Sequence, residues 1–279
     1  MRIAVVGLGL IGGSMAIDLR KTGFADSFVG VESSPTHAQE AVQLNIVDEV
    51  LPLEQAIVQS DLVLLATPVS QLRHLLPQVL DLVEGQIVVD VGSTKSNLLE
   101  VVKHHARRQN YVATHPMAGT EFSGPSAAIE GLFKDKVAIL CGVENSDSDM
   151  VSKVIEMYDH LGMPVVEMDA AEHDMHAAYV SHISHISSFA LAITVLEKEK
   201  YSNNIFLMAS GGFDSTVRLA KSSHQMWTPV FTQNSENVIS VLDTYIKELV
   251  KFRNAIEDQD EEKLDELILQ ANDIKKILK

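Results

Sequence analysis

Arg2-Ile3-Ala4-Val5-Val6-Gly7-Leu8-Gly9-Leu10-Ile11-Gly12, at the amino terminus, is the stretch on which the fold turns. Residues 2–6 form a short apolar run ended by glycine, which reads as a buried strand. From Gly12 to Lys21 the pattern becomes helical and stops near Gly23. Between the two, glycine recurs as G-x-G-x-x-G. Alone that spacing is weak, because glycines cluster in many turns. A strand before it and a helix after it make it specific. Gly7 permits a tight turn, Gly9 lets backbone approach a pyrophosphate, and Gly12 lets the helix pack close to the strand. The helix amino terminus, beside Leu10 and Ile11, supplies free N–H groups that favour an anion.

Working outward, apolar runs of the same kind appear at Phe28-Val29-Gly30-Val31, Leu62-Val63-Leu64-Leu65-Ala66, Ile87-Val88-Val89-Asp90-Val91, Tyr111-Val112-Ala113-Thr114, Val137-Ala138-Ile139-Leu140 and Pro164-Val165-Val166-Glu167-Met168. Helical patterns occupy 35–44, 70–83 and 96–108. Such alternation predicts a doubly wound α/β domain with a parallel sheet, spanning residues 1–168. From 169 to 279 the pattern is helical, with long amphipathic segments at 171–199 and 229–257. The last segment, Asp260 to Lys279, aligns Leu264, Leu267, Ile268, Ala271, Ile274 and Leu278 on one stripe, after an acidic helix start. That much apolar stripe is buried either within the chain or across a two-fold dimer, and a homodimer is favoured.

Composition narrows the partners. The 279 residues carry a formal charge of −16 and 46% hydrophobic residues. An acidic surface repels nucleic acid and anionic lipid, so neither is an expected partner. No apolar run reaches the roughly 18–20 residues of a membrane span. The start of the chain lacks the features of a secretory signal. The single cysteine, Cys141, forms no internal disulfide, and a cytoplasmic location is expected. An anionic substrate would have to be held by local positive charge against the global field.

Glu32 stands twenty residues after Gly12, at the end of the second strand. A carboxylate there accepts from both ribose hydroxyls and repels a 2′-phosphate, so the expected cofactor is NAD rather than NADP. Thr67-Pro68 and Gly92-Ser93-Thr94-Lys95 close two further strands and point toward the same crevice. Lys95 either faces it or lies exposed at a helix start.

His115, in His115-Pro116-Met117-Ala118-Gly119-Thr120-Glu121, ends the strand 111–114. An imidazole titrates near neutrality and can accept a hydroxyl proton during hydride transfer. The helical half holds His173-Asp174, His176 and Ser181-His182-Ile183-Ser184-His185. On one continuous helix the pair 173/176 lies opposite the pair 182/185, which argues against four-fold metal ligation; no metal is expected. His182 and His185 share a face and could border one pocket. Ser210-Gly211-Gly212-Phe213 reads as a turn between helices, and Arg218 follows. In a pocket, Arg218 binds a carboxylate through two parallel hydrogen bonds; on a surface it does little.

These pieces together resemble the prephenate/arogenate dehydrogenase family. The resemblance rests on Val6 to Ser14, Asp90-Val91-Gly92-Ser93-Thr94-Lys95, His115-Pro116-Met117-Ala118-Gly119, His173-Asp174, Ser181-His182-x-x-His185, Ser210-Gly211-Gly212-Phe213, Arg218 and Met226-Trp227. It implies a Rossmann-like domain, an all-α carboxy-terminal dimerisation domain, and a site between them. It implies that His115 hydrogen-bonds the substrate's ring hydroxyl, Arg218 holds the ring carboxylate, and Ser93 contacts substrate beside the nicotinamide. Glu121 then stands at the pocket mouth, and His182, His185 and Gly211 contact substrate. The expected reaction is NAD-dependent oxidative decarboxylation of prephenate on the route to tyrosine, with arogenate as the alternative. The chain departs from the family pattern at Asp214-Ser215, where arginine-aspartate is common. No regulatory domain is expected after the helical region, so control by tyrosine is either absent or exerted at the active site. A hydroxyacid or imine dehydrogenase would rely on a lysine in the helical half, yet lysines 198, 200 and 221 lie outside the histidine-rich segment. A non-catalytic dinucleotide sensor is a further alternative, and the presence of His115 and Arg218 argues against it.

Overall fold

A computed structural model describes residues 1–202 and 204–277. The chain forms two compact units, Met1–Asn234 and Ser235–Lys279. The first is built on an eight-stranded sheet. Its strands are β1 (Arg2–Val6), β2 (Ser27–Val31), β3 (Glu49–Val50), β4 (Leu62–Leu65), β5 (Ile87–Asp90), β6 (Tyr111–Pro116), β7 (Ala138–Cys141) and β8 (Val165–Met168). Their spatial order is β3-β2-β1-β4-β5-β6-β7-β8. From β1 the chain winds outward to β3, then crosses back to place β4 on the other side of β1. That reversal opens a crevice beyond the carboxyl ends of β1 and β4, where open α/β sheets bind ligands.

The helices on the sheet are α1 (Leu10–Lys21), α2 (Pro35–Gln43), α3 (Leu53–Val58), α4 (Val69–Leu82), α5 (Ser96–Val102) and α6 (Ser148–His160). Side chains alternate across each strand. Ile3 and Val5 therefore join Met15, Leu19, Val112 and Tyr158 in one core layer, while Ala4 and Val6 join Leu72, Leu76 and Tyr111 in the other. Both faces are covered, which is why the strands read as continuous apolar runs.

One sheet expectation and one helix boundary are corrected. β7 runs antiparallel to β6, with His115 opposite Ile139. Residues 117–137 hold only the short 3-10 turn Pro125–Ala127, so no crossover helix carries the chain back to the start of a parallel strand. Helix α5 ends at Val102 rather than 108, and a short 3-10 turn at Arg108–Asn110 leads into β6.

The rest of the first unit is helical: α7 (Ala170–Ala177), α8 (Ile183–Ser202), α9 (Gly211–Val217) and α10 (His224–Gln233). Asp169 caps α7 by accepting from the backbone N–H groups of Ala171 and Glu172. A π turn at Ala178–His182 joins α7 to α8. The result is a helix at Ala170–Lys200 with mean hydropathy 1.4 in its most apolar window, of which 11% is buried. By length and composition alone it is apolar enough to span a membrane, although its serines and histidines interrupt it so that no continuous apolar run reaches that length. Ser210-Gly211-Gly212-Phe213 is not a free turn: Gly211 begins α9.

The second unit is a hairpin of α11 (Ser235–Glu257) and α12 (Glu261–Asn272). The expected helix at 229–257 breaks at Asn234, between α10 and α11. Asp260 caps α12 by accepting from the Lys263 backbone N–H. Of the expected terminal stripe, Leu267 is buried whereas Ile268 and Ile274 are half exposed. Leu278 lies outside the described residues.

Candidate active site

The glycine turn follows β1. Gly7 has φ +96°, and a Cβ there would lie 2.7 Å from the Ala66 carbonyl oxygen, so only glycine fits. A Cβ on Gly12 would lie 2.2 Å from the Gly7 carbonyl oxygen, whereas one on Gly9 would meet nothing within 4 Å. Gly9 caps α1 without a side-chain hydrogen bond, and the first turn carries no acidic residue. Its leading N–H groups, from Leu10 onward, remain open to an anion.

Glu32 follows β2 and curls back over this turn. Its Oε2 accepts from the Leu8 N–H at 3.2 Å and its Oε1 from the Ser34 N–H at 2.9 Å. One carboxylate therefore borders the glycine turn, as ribose recognition requires. Thr67 follows β4; its Oγ1 is buried and has no hydrogen-bond partner. Such an orphan is expected where a ligand group completes the set. Pro68 caps α4 from an exposed position. An open helix start, a ribose-height carboxylate and an unpaired hydroxyl at the switch point together fit a dinucleotide.

Beyond β5 and β6 lies a polar cluster. Lys95 is fully buried, so it is not the exposed helix-start lysine that the sequence also allowed. Its ammonium pairs with Asp90 and donates to the Thr114 carbonyl oxygen at 2.6 Å. Asp90 also accepts from the Tyr111 hydroxyl at 2.7 Å and from the Gly92 and Thr114 backbone N–H groups. Breaking such a buried pair from one side costs about 3–5 kcal/mol, so this frame is stiff. It grips the backbone immediately before His115. Ser93 is partly buried in the turn between Asp90 and Lys95.

His115 reaches across to the first helix after the sheet. Its Nδ1 lies 2.8 Å from Nε2 of His173, and His173 Nδ1 lies 2.9 Å from Oδ1 of Asp174. Asp174 in turn accepts from the backbone N–H groups of Lys95 and Ser96 at 2.8 and 2.9 Å. Burial pushes the His115 imidazole well below its ordinary range, and the nearby His173, Lys95 and His182 push the same way. Hydrogen bonds from His173 and Ser96 hold the Asp174 carboxyl below its usual range despite burial.

The π turn advances fewer degrees per residue than an α-helix, which narrows the angle between His173 and His182; His182 is 1% exposed and lies within electrostatic reach of His115. Asn234 ties this turn to α7, donating to the Asp174 carbonyl oxygen at 2.6 Å with its Nδ2 3.2 Å from His182 Nδ1. Burial lowers the His182 pKa to about 4. His185 stacks on Trp227 with ring centroids 3.4 Å apart, and the buried Trp227 indole N–H has no hydrogen-bond partner.

Arg218 approaches the same cluster. Ser188, three residues after His185, donates to the Thr216 carbonyl oxygen and accepts from the Ala220 N–H, both at 3.0 Å. This clamp holds Arg218 close enough for its charge to contribute to the lowering of the His185 pKa, after burial. Arg218 also pairs with Glu121 at 2.8 Å. Asp214 pairs instead with Lys221 at 2.9 Å, on the surface. Gly211 is exposed at the start of α9. Of the residues given no role in the sequence, His173, Asp174 and Trp227 stood in quoted motifs; Ser188 and Asn234 carried no signal.

The first unit holds an anion-binding turn, a neutral imidazole and a guanidinium, a set suited to hydride transfer from an alcohol that bears a carboxylate. Comparison with known proteins agrees. Residues 15–167 match the model for the prephenate dehydrogenase nucleotide-binding domain, and residues 169–270 match that for the prephenate dehydrogenase dimerization domain. Prephenate dehydrogenase of Bacillus subtilis (strain 168) is 30% identical over 97% of this chain and 74% of its own length. The crystal structure of prephenate dehydrogenase from A. aeolicus with hydroxyphenyl propionate and NAD+ has TM-score 0.87 and 30% identity, covering 99% of this chain and 97% of that one. Synechocystis arogenate dehydrogenase has TM-score 0.76 and 29% identity, covering 99% of each chain. With both domain models matched in order along the sequence, this chain belongs to the prephenate dehydrogenase family.

Proposed function

We propose that the chain catalyses NAD-dependent oxidative decarboxylation of prephenate to 4-hydroxyphenylpyruvate. The observation that carries this reading is His115 at the carboxyl end of β6, held neutral by burial and joined to His173. Bound NAD+ supplies the hydride acceptor; Gly7, Gly9, Leu10, Ile11, Gly12, Glu32, Thr67 and Pro68 are the residues to hold it. The Glu32 carboxylate would repel a 2′-phosphate, which favours NAD over NADP.

In this reading the carbinol carbon gives up hydride, and Nε2 of His115 takes the hydroxyl proton. The bond to the ring carboxylate breaks, its electron pair enters the ring, and carbon dioxide leaves. The ring oxygen recovers the proton from His115 and ends as a phenol, so the step releases no net proton. Aromatisation drives it, and the protein's task is alignment and charge placement. Ser93 borders the reacting carbon, Arg218 holds the ring carboxylate, and His182, His185, Glu121 and Gly211 complete the substrate side.

Prephenate is favoured over arogenate, which bears an ammonium in place of the keto group. Histidines rather than carboxylates, His182 and His185, gather beside Trp227, and Asp214 is engaged by Lys221. The division of labour is residues 1–168 for cofactor and 169–279 for substrate and dimerisation. Ile193 and Leu196 on α8, with Ile246, Leu249 and Val250 on α11, are exposed apolar residues that a second copy would cover in a cytoplasmic homodimer. NADH formation with prephenate, arogenate and a plain 2-hydroxyacid tests the function. Turnover is expected with prephenate and at least tenfold lower kcat/KM with arogenate. Turnover of the hydroxyacid alone would overturn the reading.

A further inference from the structure

His173 and Asp174 touch neither the glycine turn nor the guanidinium, yet both are buried and linked to His115. We infer that they are positioning residues that hold His115 with its proton on Nδ1 and its Nε2 lone pair free for the substrate hydroxyl. The inference rests on the reading of His115 as the group that takes that proton.

The assignment follows from counting donors. Asp174 is ionised and already accepts two backbone N–H groups from Lys95 and Ser96. The bond between His173 Nδ1 and Asp174 Oδ1 therefore takes its proton from the imidazole. With one proton, placed on Nδ1, His173 offers only a lone pair at Nε2. The 2.8 Å contact to His115 then requires the proton on Nδ1 of His115. Nε2 is the remaining nitrogen, and it is left as an acceptor. A second proton on His173 would reverse this, forcing His115 to accept at Nδ1 and present an N–H to the substrate. That proton would place another cation in the region already occupied by the buried Lys95 ammonium, at the desolvation cost of a charge. The cluster has a fixed zero point, because Lys95 and Ser96 at the start of α5 hold Asp174 while the Lys95 side chain holds the backbone before His115. Since the reaction returns the hydroxyl proton, the buried chain needs no exit to solvent and stores a charge only transiently. When His115 becomes imidazolium, the nearby Asp174 carboxylate stabilises it.

The test reads both the proton and the rate. In the full-length enzyme with ¹⁵N-labelled histidine, the His115 signals, assigned by their loss in His115→Asn, are expected to show a protonated Nδ1 and a bare Nε2. His173→Phe keeps the volume and removes the acceptor. It should lower kcat about 10²–10⁴-fold, up to the loss of a wrong-tautomer variant, with the prephenate KM within a few-fold. In the His115→Asn background the same change should cost nothing more, because His173 acts only through His115. A proton on Nε2 of His115 in the wild-type enzyme would overturn the inference, as would a double variant slower by the product of the two single losses. Should His173→Phe fail to fold, the wild-type spectrum still decides. Failure of the underlying reading shows differently, as near-wild-type turnover in His115→Asn alone.

Discussion

Arg218 has half of its side chain exposed and meets Glu121 at 2.8 Å, so a substrate carboxylate must compete with or displace that carboxylate. The guanidinium is nonetheless placed by the Ser188 clamp, and its fork suits a carboxylate in two parallel bonds. Arg218→Ala should raise the prephenate KM roughly 10–100-fold, the worth of a hydrogen bond to a charged group, with kcat changed much less. Steady-state kinetics check this, and an unchanged KM would make the Glu121 pair a surface ornament. At this scale the sequence was legible where chemistry demands a residue type. His115, Glu32 and the three glycines stand where spacing placed them. Ser188 and Asn234 were not legible, since a serine on an apolar helix and an asparagine between helices gain meaning only from what the fold brings beside them.

Among the elements, the α7–π–α8 helix does most to shape the site. A regular α-helix through Ala178–His182 would set His182 about 180° from His173, and the π turn narrows that angle, with His182 buried. No propensity marks such a turn, which is why periodicity alone put the two histidines on opposite faces. The antiparallel β7 was equally hidden, because strand direction depends on the path of residues 117–137 and not on the apolar run itself. The buried His182 has a consequence for acid stability. Its folded pKa of about 4 lies below the ordinary 6.5, mainly through burial, opposed by Asp174 and reinforced by His173 and His185. Between those values the unfolded chain binds a proton that the folded chain refuses. Stability is thus full above about pH 6.5 and falls as the pH drops toward 4, by up to about 3 kcal/mol from this group. Urea unfolding across that window should show the loss, and His182→Gln should flatten it; an equal slope in the variant would assign the effect elsewhere.

For the whole molecule, the architecture follows from strand after strand of two-sided apolar residues, a signal strong enough to read in order from β1 to β8, apart from the two-residue β3. The helical half was legible as helical, while its division at Asn234 was not, because two amphipathic segments with one residue between them read as one. What the fold brings together is specific: the turn after β5, an imidazole near the end of β6, and a helix that begins at Ala170 all bear on one buried cluster within Met1–Asn234. That convergence is tested most directly by the turnover of His115→Asn with prephenate and NAD+. A loss of about 10²–10⁴ in kcat is expected, the usual worth of a positioned general base, with NAD+ affinity kept. Turnover within a few-fold of the wild type would contradict it, leaving the glycine turn as a nucleotide site with no assigned chemistry beside it.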